Sequence, residues 1–94
     1  MPYNRVQHYG ITPTAAQRAS VPPGMEFDHD PMLVKHYYEG PGDGSLAGFN
    51  LTQKERVEFG ASLAHGTAAT PAAQRAQGAA AAKYSKMMKK LCGL

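Results

Sequence analysis

The run Met25–Ser45, MEFDHDPMLVKHYYEGPGDGS, decides how the rest of the chain is read. Residues 25–39 mix Met25, Phe27, Met32, Leu33, Val34, Tyr37 and Tyr38 with Glu26, Asp28, Asp30 and Glu39. Pro31, with Asp30 as N-cap, is a helix-start signal. A strand through Leu33–Tyr38 is the competing reading, because a short apolar run fits either element. Gly40-Pro41-Gly42-Asp43-Gly44-Ser45 then reads as pure loop. If these bulky groups meet others elsewhere, the chain has a core; if they stay isolated, it has none.

The remainder of the sequence argues for isolation. Ninety-four residues allow at most one domain, and a domain this small needs many large apolar side chains to offset its surface. The hydrophobic share is 43%, but alanine dominates it and buries little area per residue. There is no Trp, and the larger apolar residues are scattered rather than periodic. Ten Gly and seven Pro interrupt regular structure. Ordering a residue costs roughly 1–2 kcal/mol. The expected fold class is therefore a mostly irregular, extended chain without an independent globular core, ordered by lying on a partner. Only 18% of residues are charged, so the chain is sticky rather than composed like a solvated tail.

Local signals place a few helices on this chain. Residues 1–10 read as an extended arm. Thr12-Pro13 starts a short helix near 13–20, with threonine as cap and proline at the first helical position, and Val21-Pro22-Pro23-Gly24 stops it. Thr52 with Glu55 three residues on is a capping box, predicting a helix over about 53–65 that Gly66 ends. Thr70-Pro71 starts the last helix, over about 71–91. The organisation is one non-globular chain: arm and loops over 1–51, a helix over 52–66, and a basic helical tail over 67–94. Thr12-Pro13-Thr14-Ala15-Ala16-Gln17-Arg18 echoes Thr70-Pro71-Ala72-Ala73-Gln74-Arg75 with one inserted residue. The simpler reading is a good helix start used twice; the sharper one is a repeated docking element.

Charge divides the chain. Residues 26–43 are acidic against a lone Lys35, whereas residues 67–94 carry Arg75, Lys83, Lys86, Lys89 and Lys90 with no acid, which implies two different surfaces being met. Nothing supplies catalytic chemistry. Asp28-His29-Asp30 with His36 and Glu39 nearby is the one metal-like cluster, but its spacing fits no known loop and a solvated turn explains it. Gly40, Gly42 and Gly44 lack the strand and the Lys-Ser or Lys-Thr pair of a phosphate loop. The serines have no glycine elbow, and the four histidines stand in unrelated contexts. No enzyme, cofactor, metal or small-molecule substrate is expected. The single Cys92 excludes an internal disulfide, and no run reaches the ~20 apolar residues of a membrane span.

The arms Met1–Gly10 and Val21–Gly24, the loop Gly40–Ser45 and the short capped helices between them resemble the microtubule inner proteins of flagellar doublets. The resemblance implies a structural accessory protein of the axoneme, bound to tubulin and neighbouring inner proteins. The chain also resembles supernumerary subunits of mitochondrial respiratory complexes or ribosomes, which would place it in the mitochondrion. A third reading is a peripheral membrane adaptor using the basic tail. Nucleic acid is disfavoured, since the stretch Lys83–Cys92 lacks arginine and the interleaved aromatics of a single-strand binder. Tyr3, Tyr9, Phe27, Tyr37, Tyr38, Phe49 and Tyr84 are the expected apolar partner contacts, and Arg18, Arg75, Lys86 and Lys90 the charged ones.

Overall fold

Histidine rings pack among the aromatic residues: ten rings form one network, and Phe27 and His29 make a separate edge-to-face pair. The computed structural model describes residues 3–92. In it every tyrosine, phenylalanine and histidine of the chain touches another ring. The chain order is α1 (Arg5–Tyr9), α2 (Ala15–Ala19), β1 (Glu26–His29), α3 (Leu33–Glu39), a 3-10 turn (Gly48–Asn50), α4 (Gln53–Ala61), β2 (Gly66–Ala69) and α5 (Pro71–Cys92).

The centre is α3, the segment that the sequence left open between helix and strand. It is helical, and Leu33, Val34, His36, Tyr37 and Tyr38 are all buried, so five of its side chains face inward. Tyr9 of α1 completes the buried cluster, and Tyr3, Met32, Phe59, Ala81, Tyr84 and Met88 pack around it. A phenol or phenyl ring buries about 150–250 Å², several times what an alanine can. That is why the expectation of a coreless, extended chain is wrong: rings, including neutral imidazoles, replace the missing aliphatic side chains. The radius of gyration is 13.0 Å, close to the roughly 12 Å of a folded domain of this length and far below the roughly 30 Å of an unfolded one.

Close approach requires glycine at two places. A Cβ on Gly48 would strike the Tyr9 hydroxyl and come within 2.8 Å of the Tyr37 Cα and 3.1 Å of His36 Nδ1. A Cβ on Gly66 would collide with the Phe27 ring and lie 2.7 Å from the Asp28 carbonyl oxygen. Gly66 stands opposite His29 in the antiparallel pairing of β1 with β2, whose register also sets Glu26 against Ala69, Phe27 against Ala68 and Asp28 against Thr67. No strand was expected in either segment. Gly-Thr-Ala-Ala shows no alternation, and its partner lies far away in the sequence.

Side chains hold the loops by satisfying backbone carbonyls that would otherwise be costly to bury. Arg56 donates to the carbonyl oxygens of His8 at 3.1 Å and Leu51 at 2.6 Å. Gln17 Nε2 donates to Gly60 O at 2.7 Å and Ser62 O at 3.1 Å, and His29 Nε2 donates to the same Gly60 oxygen at 2.8 Å.

Side-chain caps set the starts of α1, α2 and α4, whereas α3 begins after Met32 with no side-chain cap rather than at the expected Asp30-Pro31. Thr52 and Glu55 exchange the two bonds of the expected capping box, at 3.0 and 3.1 Å. α4 ends at Ala61 rather than near residue 65, because Ser62 turns extended and the chain enters β2. α2 begins two residues later than read: Thr14, not Thr12, is the cap, paired reciprocally with Gln17. The arm expected over residues 1–10 contains α1, capped by the Asn4 side chain on the Gln7 amide at 3.0 Å. α5 runs its predicted course.

Candidate functional site

Four aromatics assigned to a partner are core. Tyr9, Phe27, Tyr37 and Tyr38 are buried and, as packed, present no ring to another molecule. Tyr3 is half-buried against His8, Tyr9 and Tyr37, and Tyr84 is half-buried with its hydroxyl on the Glu39 carboxylate. Phe49 alone of the seven is exposed, at 41%. Arg18 is exposed, but its guanidinium donates to Pro13 O at 2.7 Å.

Two of the histidines that looked unrelated in sequence, His36 and His65, sandwich Phe59 in a ring stack. His36 lies flat on Phe59 at 3.7 Å between centroids, and Phe59 stacks in turn on His65 at 4.4 Å. Tyr9 Oη and His36 Nδ1 share a buried hydrogen bond of 2.6 Å. Burial first, and the neighbouring His65 charge second, push the His36 pKa down to about 4. Burial likewise lowers the His8 and His29 pKa values and raises that of the Tyr9 phenol. The paired phenol and imidazole resemble acid–base machinery, yet Tyr9 has no exposed surface and His36 is 2% exposed, so no substrate reaches them. Among the described residues no three His, Cys, Asp or Glu side chains gather as a metal site.

The longest solvent-facing surface among the helices is that of α5. Its 22 residues divide into two faces by helical period. Gln74, Gln77, Ala81, Tyr84, Ser85 and Met88 are half-buried against the body; Arg75, Lys83, Lys86 and Lys90 are exposed on the opposite side. At 1.5 Å per residue, Arg75 to Lys90 covers about 22 Å. Among the described residues this cationic row is interrupted by no acid, because the helix contains none. Met87 and Leu91 flank the row, 48% and 72% exposed. Lys89 sits apart from it, at the end of a groove on the inner side.

That groove encloses about 370 Å³ between α5, α3, β1 and the start of α1. Small residues make it: Gly78, Ala81 and Ala82 of α5 face Met32, Leu33 and Val34. Asp28 and Gln74 stand where β1 meets α5, and Arg5 and Lys89 lie at exposed positions of the lining. The sequence offers one signal for it in retrospect, the run of small residues Gly78-Ala79-Ala80-Ala81-Ala82 in α5.

No family model, curated protein or solved structure matches the chain.

Proposed function

We propose that the chain is a small, folded, non-enzymatic accessory protein that docks on an acidic protein surface of a larger assembly through the outward face of α5. The observation that carries this reading is the row Arg75, Lys83, Lys86 and Lys90, exposed on one side of a helix whose other side is packed. A single-sign row of this length is costly in self-repulsion and is suited to steering toward, and registering on, an opposite charge. Met87 and Leu91 beside it add apolar area to the contact. The loops and arm that resembled thread-like inner proteins belong to a folded body, so the reading rests on charge and not on an extended shape. Tubulin remains the first acidic lattice to try.

The test is co-sedimentation of the purified chain with polymerised tubulin, with anionic vesicles and duplex DNA in parallel. Binding to the polymer that salt weakens is expected, and the triple variant Lys83→Gln, Lys86→Gln, Lys90→Gln should lower it by about tenfold or more, at roughly 0.5–1 kcal/mol per lysine. Equal pelleting of the triple variant would exclude the lysine row. Preferential binding to vesicles would favour the membrane-adaptor reading, for which Met87 and Leu91 are the supporting feature. No binding to polymerised tubulin, with co-migration alongside a mitochondrial complex, would favour the second assembly.

A further inference from the structure

The sheet has two strands, so each strand has one edge left over. The edge of β1 is engaged: Phe27 O, which faces away from β2, accepts from Gln74 Nε2 at 3.3 Å. The edge of β2 is not. Asp30 N donates to His65 O at 3.0 Å, one step beyond the pairing of His29 with Gly66. Antiparallel strands alternate bonded and non-bonded pairs. Thr67 therefore bonds to Asp28, and Gly66 and Ala68 turn their N–H and C=O groups away from β1. Among the described residues these four groups have no hydrogen-bond partner; the side-chain bonds of the segment serve Ala64 N and Ala73 N, on either side of it. Thr67 and Ala68 are exposed.

An open edge is a template for another strand, and proteins usually block it with charge, proline or a bulge. β2 has none of these. It is Gly-Thr-Ala-Ala, and its register with β1 runs without interruption. Apart from His65, residues 59–74 are uncharged, the longest such stretch in the chain. Nothing on this edge selects a charged partner, but it matches itself. A twofold axis at Thr67 sets Gly66 against the second copy's Ala68 and Ala68 against its Gly66, and each pair exchanges both backbone bonds. Thr67 then faces its own copy with about 4.5 Å between Cα atoms, a favourable pair of side chains. Gly66 and Ala68 lie on the sheet face that carries buried Phe27 and His29, so their small size lets the two bodies approach. On the other face the Asp28 carboxylates of the two copies stand three strand spacings apart, about 14 Å, beyond a screening length of about 8 Å.

We propose that β2 pairs antiparallel with β2 of a second copy of this chain about a twofold axis at Thr67, joining two sheets of two strands into one of four. The dimer is weak and reversible, since a four-residue strand makes a contact well under the roughly 1,200 Å² of a standard interface. No residue of the cationic row on α5 takes part in it, so the two contacts can be separated by mutation.

Sedimentation equilibrium of the full chain, from micromolar to millimolar concentration, should show a monomer–dimer equilibrium. Over the same range hydrogen exchange at the Gly66 and Ala68 amides should slow as the dimer forms, much more than at Thr67 and Ala69, which already bond to β1. Ala68→Pro removes an N–H that the intrachain ladder does not use and should abolish the dimer. Thr67→Lys sets like charges opposite one another and should weaken it several-fold, whereas mixing Thr67→Lys with Thr67→Glu chains should restore it as a mixed dimer. The triple variant Lys83→Gln, Lys86→Gln, Lys90→Gln should dimerise as the unaltered chain does. A monomer at every concentration, undiminished association of Ala68→Pro, a mixture no tighter than Thr67→Lys alone, or loss of the dimer in the triple variant would each overturn the proposal. The charge-swapped mixture decides the matter even where Ala68→Pro folds poorly, because Thr67 is exposed.

Discussion

Acidification should unfold this protein through His36, well before its carboxylates titrate fully. The ring is buried against Phe59 and bonded to Tyr9, and its pKa falls from 6.5 in the open chain to about 4 in the fold. The sign follows from proton binding: between those values the unfolded chain takes up a proton that the folded one refuses. The stability due to neutral His36 is therefore complete above pH 6.5 and is lost as pH falls toward 4. The slope is about 1.4 kcal/mol per pH unit, and the whole loss is about 3 kcal/mol. His8 and His29 act in the same direction, because burial lowers both. Asp28 acts against them: burial raises its pKa, so its protonation favours the fold. Urea denaturation from pH 7.5 to 4 measures the slope directly. In the double variant Tyr9→Phe, His36→Phe, both hydrogen-bonding partners become apolar, a change that costs little when made together. The slope should flatten by close to one histidine's share. An unchanged slope in the double variant, or an imidazole proton signal of His36 titrating near 6.5, would refute the reasoning.

Three other outcomes are expected. Tyr9→Phe alone leaves His36 Nδ1 buried without its partner and should cost about 1–2 kcal/mol in chemical denaturation. Gly48→Ala must displace the Tyr9 hydroxyl and the α3 backbone at Tyr37, so a loss of about 1–3 kcal/mol, the usual cost of overpacking, should appear as a lowered melting temperature. Gly78→Ala places a methyl in open space in the interior of α5 and should raise stability by about 0.5–1 kcal/mol, since glycine there costs helix entropy.

The parts of this fold that can be read from the sequence are those set by neighbouring residues. Thr52 and Glu55 announce α4, and Thr70-Pro71 announces α5, because a cap is decided within four residues. Thr70 Oγ1 accepts from the Ala73 amide at 3.1 Å, as a cap should. The echo of Thr12-Pro13 in Thr70-Pro71 is only partly structural. Gln17 and Gln74 both donate to a distant carbonyl, but Thr14 replaces Thr12 as the cap of the first copy. β1 and β2 were not legible, since Phe27 pairs with Ala68 across two intervening helices and a 3-10 turn and Gly-Thr-Ala-Ala has no strand pattern. The core was missed for a chemical reason. Tyr9, Tyr37 and Tyr38 read as contacts for a partner and His36 as one of four unrelated histidines, whereas a neutral imidazole between Tyr9 and Phe59 packs like any other ring. The outward lysines of α5 were legible from charge alone; the groove needed the backbone path, because Asp28 and Gln74 are distant in sequence.

The claim on which the rest depends is that this ring network folds the chain by itself. Amide hydrogen exchange on the purified monomer, read through a thermal melt, tests it most directly. Slow exchange across Leu33–Glu39 and the inner face of α5, lost in one cooperative transition, is the expected result. Rapid exchange throughout with no transition would contradict it, and would return the bulky side chains to the service of a partner.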